Sequence, residues 1–318
     1  MKLRKIPLTV IVGPTASGKT ALSIQIAKKF GAEIVSADSM QVYRDMDIAT
    51  AKPTKEEMQG IEHHLIDCVD INHKFSVAEY LDEARTAIDN INLRGKRAVV
   101  VGGTGLYINS LVDNIQFEPE EDNQLRAELT DELERLGGEF LLEKLKKLDP
   151  EYAAQLHPND AGRIIRGIEI NTLFNHSMKE HKFLSRNQQS PYSALMLGIT
   201  FKDRQKLYDR IDRRVDNMLR QGLVDEAKSF FSKLDTEKTA VQAIGYKELF
   251  PYLNGEISLD EAVNNLKRAT RNYAKRQLTW FRKDQRIHWL YADELGENKV
   301  ITEALSLCES FYLNGVKS

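Results

Sequence analysis

Two kinds of hydrophobic pattern alternate along the first third of the chain. IPLTVIV (6–12) is a short β-rich apolar run that ends at glycine, as a strand buried on both faces does. Residues 20–29 (TALSIQIAKK) then place apolar side chains at helical spacing. A run from Glu33 to Ala37 predicts a second strand, which delivers the polar segment Asp38-Ser39-Met40-Gln41 at its C-terminal end. Ser76 lies three residues before Glu79, a capping box that opens another helix, and Gly95 follows its end. RAVVV (97–101) is a third buried strand and runs straight into Gly102-Gly103-Thr104-Gly105. Strands and helices alternating across short loops predict a parallel sheet with helices on both faces.

Beyond residue 115 the strand pattern stops. Residues 120–185 carry helical periodicity only, broken at Pro150 and Pro158, and 185–192 (SRNQQSPY) reads as polar loop. ALMLGITF (194–201) restores the strand pattern. The expected architecture is an α/β core, residues 1–115 and 194–318, interrupted by an all-helical insertion at 116–193. Leu207, Ile211, Val215 and Met218 then form an apolar stripe. A second capping box, Ser258 with Glu261, opens a long final helix that ends near Lys283, with Ala262, Leu266, Ala269, Tyr273 and Trp280 as its core-facing side.

Composition adds mainly exclusions. A chain of 318 residues, 42% hydrophobic and 29% charged, is an ordinary globular protein of about two compact units. No stretch approaches the roughly 18 apolar residues of a membrane-spanning helix. MKLRKIPLTVIVG has too short an apolar part, and no cleavage site, for a secretory signal. Cys68 and Cys308 make no disulfide framework and fit a reducing cytoplasm.

The net charge of −2, from 45 Lys+Arg and 47 Asp+Glu, gives no hint of a polyanionic partner, but the charges are separated along the chain. From Glu118 to Glu134 the only base is Arg126 among eight acids. From 267 to 286 the bases Lys267, Arg268, Arg271, Lys275, Arg276, Arg282, Lys283 and Arg286 face one acid, Asp284. Lys267, Arg271 and Lys275 share a ridge on a helix of about 39 Å, which favours a nucleic-acid contact over an ordinary solvated face.

The most specific chemistry is Gly13-Pro14-Thr15-Ala16-Ser17-Gly18-Lys19-Thr20, a full P-loop motif between a strand and a helix. Its glycines let backbone N–H groups converge at a helix N-terminus, Lys19 adds a point charge, and the Thr20 hydroxyl is placed for Mg²⁺. The motif signals a polyphosphate or pyrophosphate without singling out ATP. A nucleotide hydrolase usually ends a neighbouring strand in Asp, but here the strand at 97–101 ends in glycine. The comparable acid is Asp38, where ligands bind in open α/β sheets, although it also suits a turn. Arg210 and Arg214 could share a phosphate, or with Arg213 pair to Asp209, Asp212 and Asp216. His63 and His64 are adjacent and would diverge, which argues against a metal role.

These residues together resemble the bacterial tRNA dimethylallyltransferases over essentially the full length. The resemblance is carried by GPTASGKT (13–20), SADSMQVYRDMDIATAKP (36–53), HHLID (63–67), VGGTGLY (101–107), HPND (157–160), DRIDRRVDNML (209–219), AIGYKEL (243–249) and YAKRQLTWFRK (273–283). It implies a P-loop NTPase-like fold and transfer of a dimethylallyl group from dimethylallyl diphosphate to N6 of adenosine 37, in tRNAs reading codons that begin with U. It also implies Mg²⁺, a diphosphate cradle of Gly13 to Thr20 with Arg214, and activity-bearing Asp38, Thr104 and Arg126, with Asp38 as the base on N6. The implied tRNA contacts are Asp38, Ser39, Met40 and Gln41; Gly162 to Arg166 (Gly162, Arg163, Arg166); Gln242 to Lys247 (Gly245, Tyr246, Lys247); and Lys275, Arg276, Gln277, Trp280 and Arg282. The expected partners are the tRNA anticodon stem-loop and dimethylallyl diphosphate, with no membrane, in a cytoplasmic monomer. Bottom-up, two other classes remain open: a small-molecule kinase, which leaves the basic helix without a reason, and a nucleotide-dependent RNA-binding regulator, which leaves Asp38 without one.

Overall fold

Strand β1 (Ile6–Val12) is apolar apart from the buried Thr9, because both of its edges and both of its faces are covered. The computed structural model describes residues 5–117, 123–186, 188–231 and 243–315. After β1 come α1 (Lys19–Phe30), β2 (Ala32–Ser36), α2 (Lys55–Met58), the two-residue β3 (His63–His64), α3 (Val77–Leu93), β4 (Arg97–Gly102) and α4 (Gly105–Val112). The capping box at Ser76 and Glu79 is present and opens α3.

An all-helical stretch follows: α5 (Asn123–Leu148), α6 (Pro150–Ala153), α7 (Ala161–Phe174) and α8 (Met178–Ser185). Gly137, at φ +82°, kinks α5, and Pro150 closes it by starting α6. The chain then returns through β5 (Tyr192–Thr200), α9 (Arg204–Arg220), α10 (Leu223–Phe231), α11 (Phe250–Leu253), α12 (Leu259–Phe281), β6 (Ile287–Tyr291), α13 (Ala292–Leu295) and α14 (Glu297–Gly315).

The strands form one parallel sheet in the order β3-β2-β4-β1-β5-β6. Two compact units result, Met1–Val112 with Ser190–Ser318, and Asp113–Gln189. The first holds the sheet, with α1 and α14 packed through Leu22, Ile24, Val300 and Ala304. The second has its own core around Leu129, Leu141, Leu145, Ile164 and Ile168. Among the described residues no helix is long and apolar enough to cross a membrane.

Three sequence expectations need correction. Helix α12 is not the last element, since the edge strand β6 and the helix α14 follow it. Strand β3 carries no sequence signal, because its two histidines are not apolar and pair only with Ile34 and Val35. The core-facing side of α12 is Ala262, Leu266, Ala274, Gln277, Leu278 and Phe281, while Trp280 is 44% exposed. The acidic run begins in residues 118–122, which lie outside the described residues.

Candidate active site

The P-loop joins β1 to α1 at the carboxyl edge of the sheet. Gly13 sits at φ +148°, and a Cβ there would overlap the carbonyl oxygen of Ile199 on β5, so only glycine lets the loop leave the sheet this way. Lys19 Nζ donates to the Pro14 carbonyl at 2.8 Å. Desolvation and the neighbouring charge of Arg214 lower its pKa to about 7, against an opposing pull from Asp38. The Arg214 guanidinium is also pushed down by desolvation and held up by Asp38. Three charged groups, Lys19, Arg214 and Asp38, therefore share one enclosed space.

Asp38 follows β2. Its Oδ1 accepts the backbone N–H of Met40 at 2.9 Å and of Gln41 at 3.4 Å, so a tight turn fixes the carboxylate. Thr104, on the turn after β4, accepts the Ser39 N–H at 3.0 Å through Oγ1. Thr104 does not line the cavity and acts on the Asp38 turn through that bond. Tyr273 of α12 lies beside Thr104 and Gln277, and burial and the Asp38 charge raise its pKa. Gln277 is buried between the two glycine turns. Its Oε1 accepts the Thr15 N–H at 2.8 Å and its Nε2 donates to the Gly103 carbonyl at 3.1 Å. One side chain thus ties the phosphate cradle to the turn that supports Asp38.

These groups face a cavity of about 310 Å³ whose polar end holds Thr15, Lys19, Thr20 and Asp38. Ile34, Ile66, Val101, Val215, Met218 and Leu266 supply apolar wall. Lys19, Thr20 and Arg214 also line a larger open cavity of about 930 Å³, together with Arg210 and Arg213. The three arginines of α9 separate in role. Arg214 enters the site, Arg210 donates to the Ala16 carbonyl at 3.0 Å over the Phe201 ring, and Arg213 donates to the Asp209 carbonyl at 3.2 Å.

Of the other residues singled out by sequence, Ser39, Met40, Gln41, Gly245 and Arg276 line the smaller cavity, and Arg276 lies over the Tyr273 ring at 5.7 Å. Lys247, Lys275 and Arg282 are exposed, and Trp280 stands against Gly105. Two expected tRNA contacts are buried here: Tyr246 fully, with its hydroxyl donating to Glu226, and Gln277 between the loops, where it also lines the smaller cavity. The basic ridge is corrected, because Lys267 pairs with Asp216 and Arg271 with Asp212, both at 2.5 Å, leaving Lys275 beyond those pairs.

Gly162, Arg163, Arg166 and Arg126 belong to the second unit. There Arg126 grips the buried Glu169 with two bonds, at 2.7 and 3.0 Å, Arg166 approaches the same carboxylate at 3.4 Å, and Arg163 faces Asp160 at 3.6 Å. Gln242 lies outside the described residues. Helical periodicity marks Tyr273 only as core; its position in a basic, aromatic stretch is the available signal.

Glu33, Glu62 and His64 bring ligand atoms near one another at the sheet edge. Glu33 is already engaged by Arg94 and Lys96, and by His64 at 2.8 Å, so its charge is met by cations of the chain. Thr20 suits Mg²⁺ better. It lines both cavities, and its hydroxyl has no hydrogen bond among the described residues. Magnesium commonly takes few protein ligands and fills its shell with phosphate oxygens and water.

A parallel sheet, a P-loop at its carboxyl edge, a carboxylate at the end of β2, two strands away, and an apolar recess define a P-loop α/β enzyme site. A model of the family described as IPP transferase matches residues 41–284, so the match does not depend on the P-loop motif itself. A tRNA dimethylallyltransferase of Caldanaerobacter subterraneus subsp. tengcongensis is 48% identical, over 91% of this chain and 93% of the relative. One from Bacillus subtilis is 46% identical over 91% and 92%. Among solved structures, the full-length tRNA isopentenylpyrophosphate transferase of Bacillus halodurans is similar at a TM-score of 0.75 and 43% identity, covering 98% of this chain and 99% of that one. A eukaryotic dimethylallyltransferase acting on tRNA is similar at a TM-score of 0.85 and 31% identity, covering 97% and 80%. The chain belongs to the IPP transferase family.

Proposed function

We propose that the protein is a cytoplasmic tRNA dimethylallyltransferase, moving a dimethylallyl group from dimethylallyl diphosphate to N6 of adenosine 37 in tRNAs that read codons beginning with U. The observation that carries this reading is a single cavity with Lys19 and Arg214 at a phosphate cradle, Asp38 beside them and an apolar wall. The cradle receives the diphosphate and the apolar wall receives the prenyl chain. N6 attacks C1, the C1–O bond breaks, and its electron pair leaves with pyrophosphate. Lys19, Arg214 and the loop amides stabilise the charge that develops on the leaving oxygen. Asp38, held by Met40 N–H and Gln41 N–H, takes the N6 proton as the C–N bond forms. Mg²⁺, held through Thr20 and the diphosphate, would neutralise further phosphate charge.

A base inside a stem-loop is stacked, so adenosine must be extruded to reach Asp38. Exposed Lys275 and Trp280 on α12, with Arg282 at its C-cap, offer charge and a stacking face to such an RNA. Incubation of the purified protein with Mg²⁺, labelled dimethylallyl diphosphate and an anticodon stem-loop containing A36-A37-A38 should label the RNA on A37. An unlabelled RNA together with ATP turnover would overturn this reading.

A further inference from the structure

Glu226, on α10, has no part in the reaction above. Its Oε2 nevertheless accepts the backbone N–H groups of Asp47 at 3.1 Å and Ile48 at 2.7 Å, and its Oε1 accepts that of Ala49 at 2.9 Å. The Tyr246 hydroxyl donates to the same Oε1 at 2.8 Å. Three successive amides around one anion make a nest, and charge assistance strengthens each bond. The nested segment belongs to no helix or strand of its own, and is closed by turns in which Ala51 N–H reaches the Ile48 carbonyl and Lys52 N–H the Asp47 carbonyl.

This strip runs along both cavities. Ala49 and Thr50 line the smaller one, Asp47, Ile48 and Lys52 line the larger, and Ala51 and Pro53 line both. An independent contact holds the strip from another side. Gly245 sits at φ +118°, and a Cβ there would stand 2.9 Å from the Ala49 Cβ. The segment that carries Gly245 and Tyr246 therefore touches the strip twice, once by close packing and once through Glu226.

We infer that Glu226 is a positioning residue that, with Tyr246 and Gly245, fixes the strip from Asp47 to Ala51 and so sets the cavity width that admits a five-carbon prenyl diphosphate and excludes longer ones. The inference rests on the prenyl-transfer reading. The diphosphate would be gripped at the P-loop, and Glu226 lines neither cavity, so loosening the strip should alter how the organic part is held more than the reacting groups.

The test compares the full-length protein with Glu226→Gln and Tyr246→Phe, using dimethylallyl and geranyl diphosphates with the anticodon stem-loop. Glu226→Gln should raise KM for dimethylallyl diphosphate about tenfold while kcat stays within about twofold. The preference for the five-carbon over the ten-carbon donor, as a ratio of kcat/KM, should fall about tenfold. Tyr246→Phe, which keeps the carboxylate, should move both quantities the same way by less, and it carries the test if Glu226→Gln does not fold. A fall in kcat at unchanged KM, or a lower melting temperature with unaltered donor preference, would overturn the inference. Absence of dimethylallyl transfer by the unaltered protein would instead overturn the prenyltransferase reading, and this inference with it.

Discussion

Lys19 is where proton and phosphate binding meet. Its free-state pKa, lowered to about 7 by desolvation and Arg214, leaves the amine largely neutral at pH 8. A bound diphosphate restores the charge, so binding should take up close to one proton per substrate at about pH 8, where a phosphate ester is already ionised. Calorimetry in buffers of differing ionisation enthalpy reads that number directly, and zero uptake would contradict the shift. For Asp38, the Asn substitution keeps the turn geometry but removes the base, and single-turnover transfer should slow by about a hundredfold or more. RNA affinity, measured by filter binding, should stay within about threefold. The P-loop was legible in the sequence because its residues are contiguous and each has a fixed job. Gln277 and Tyr273 were not, since helical periodicity marks them as inward-facing without saying which polar groups they meet there.

At the scale of elements, α12 is held to α9 by its own charges. Lys267 to Asp216 and Arg271 to Asp212 are pairs between these two helices, so two of the three residues that read as an RNA-binding ridge form a seam. Replacing Lys267 and Arg271 by Ala should lower the melting temperature while leaving the salt dependence of RNA binding unchanged. Replacing Lys275, Arg276 and Arg282 by Ala should instead flatten the slope of log K against log salt, by up to about one unit per lost phosphate contact. Binding titrations at several salt concentrations separate the two sets. The compensating acids Asp212 and Asp216 sit in another helix, more than fifty positions earlier, and local charge counting does not look that far. Caps and long apolar strands were readable because their signals are local. Strand β3 was not, because pairing to β2 makes His63-His64 a strand, not its own residues.

For the whole molecule, the order of alternating patterns was enough to assign a parallel α/β sheet, yet its edges depend on polar ties that no pattern reveals. Glu33 on β2 joins His64 of β3 to Arg94 and Lys96, which lie between α3 and β4. Burial alone would raise its pKa, but hydrogen bonds from Lys96 and His64 and the charge of Arg94 outweigh it and bring the value to about 2. Since folding lowers this pKa from 4.5, the native state gains stability above that pH and loses it as pH falls towards about 2. Thermal melts across this window should show a shallower acid loss for Glu33→Gln than for the unaltered protein, from a lower starting stability.

The central place of β1 has a consequence for how the protein is made. Its two neighbours are β4, complete at Gly102, and β5, complete only at Thr200, with the whole second unit encoded between them. During translation at roughly 10 residues per second, β1 therefore waits on the order of ten seconds with one row of amides and carbonyls unpaired. That open edge is flanked by Leu8, Val10, Ile11 and Val12, all completely buried once β5 arrives. The nascent chain is most vulnerable to aggregation in that interval, and a chaperone that recognises extended apolar segments would find its ligand there.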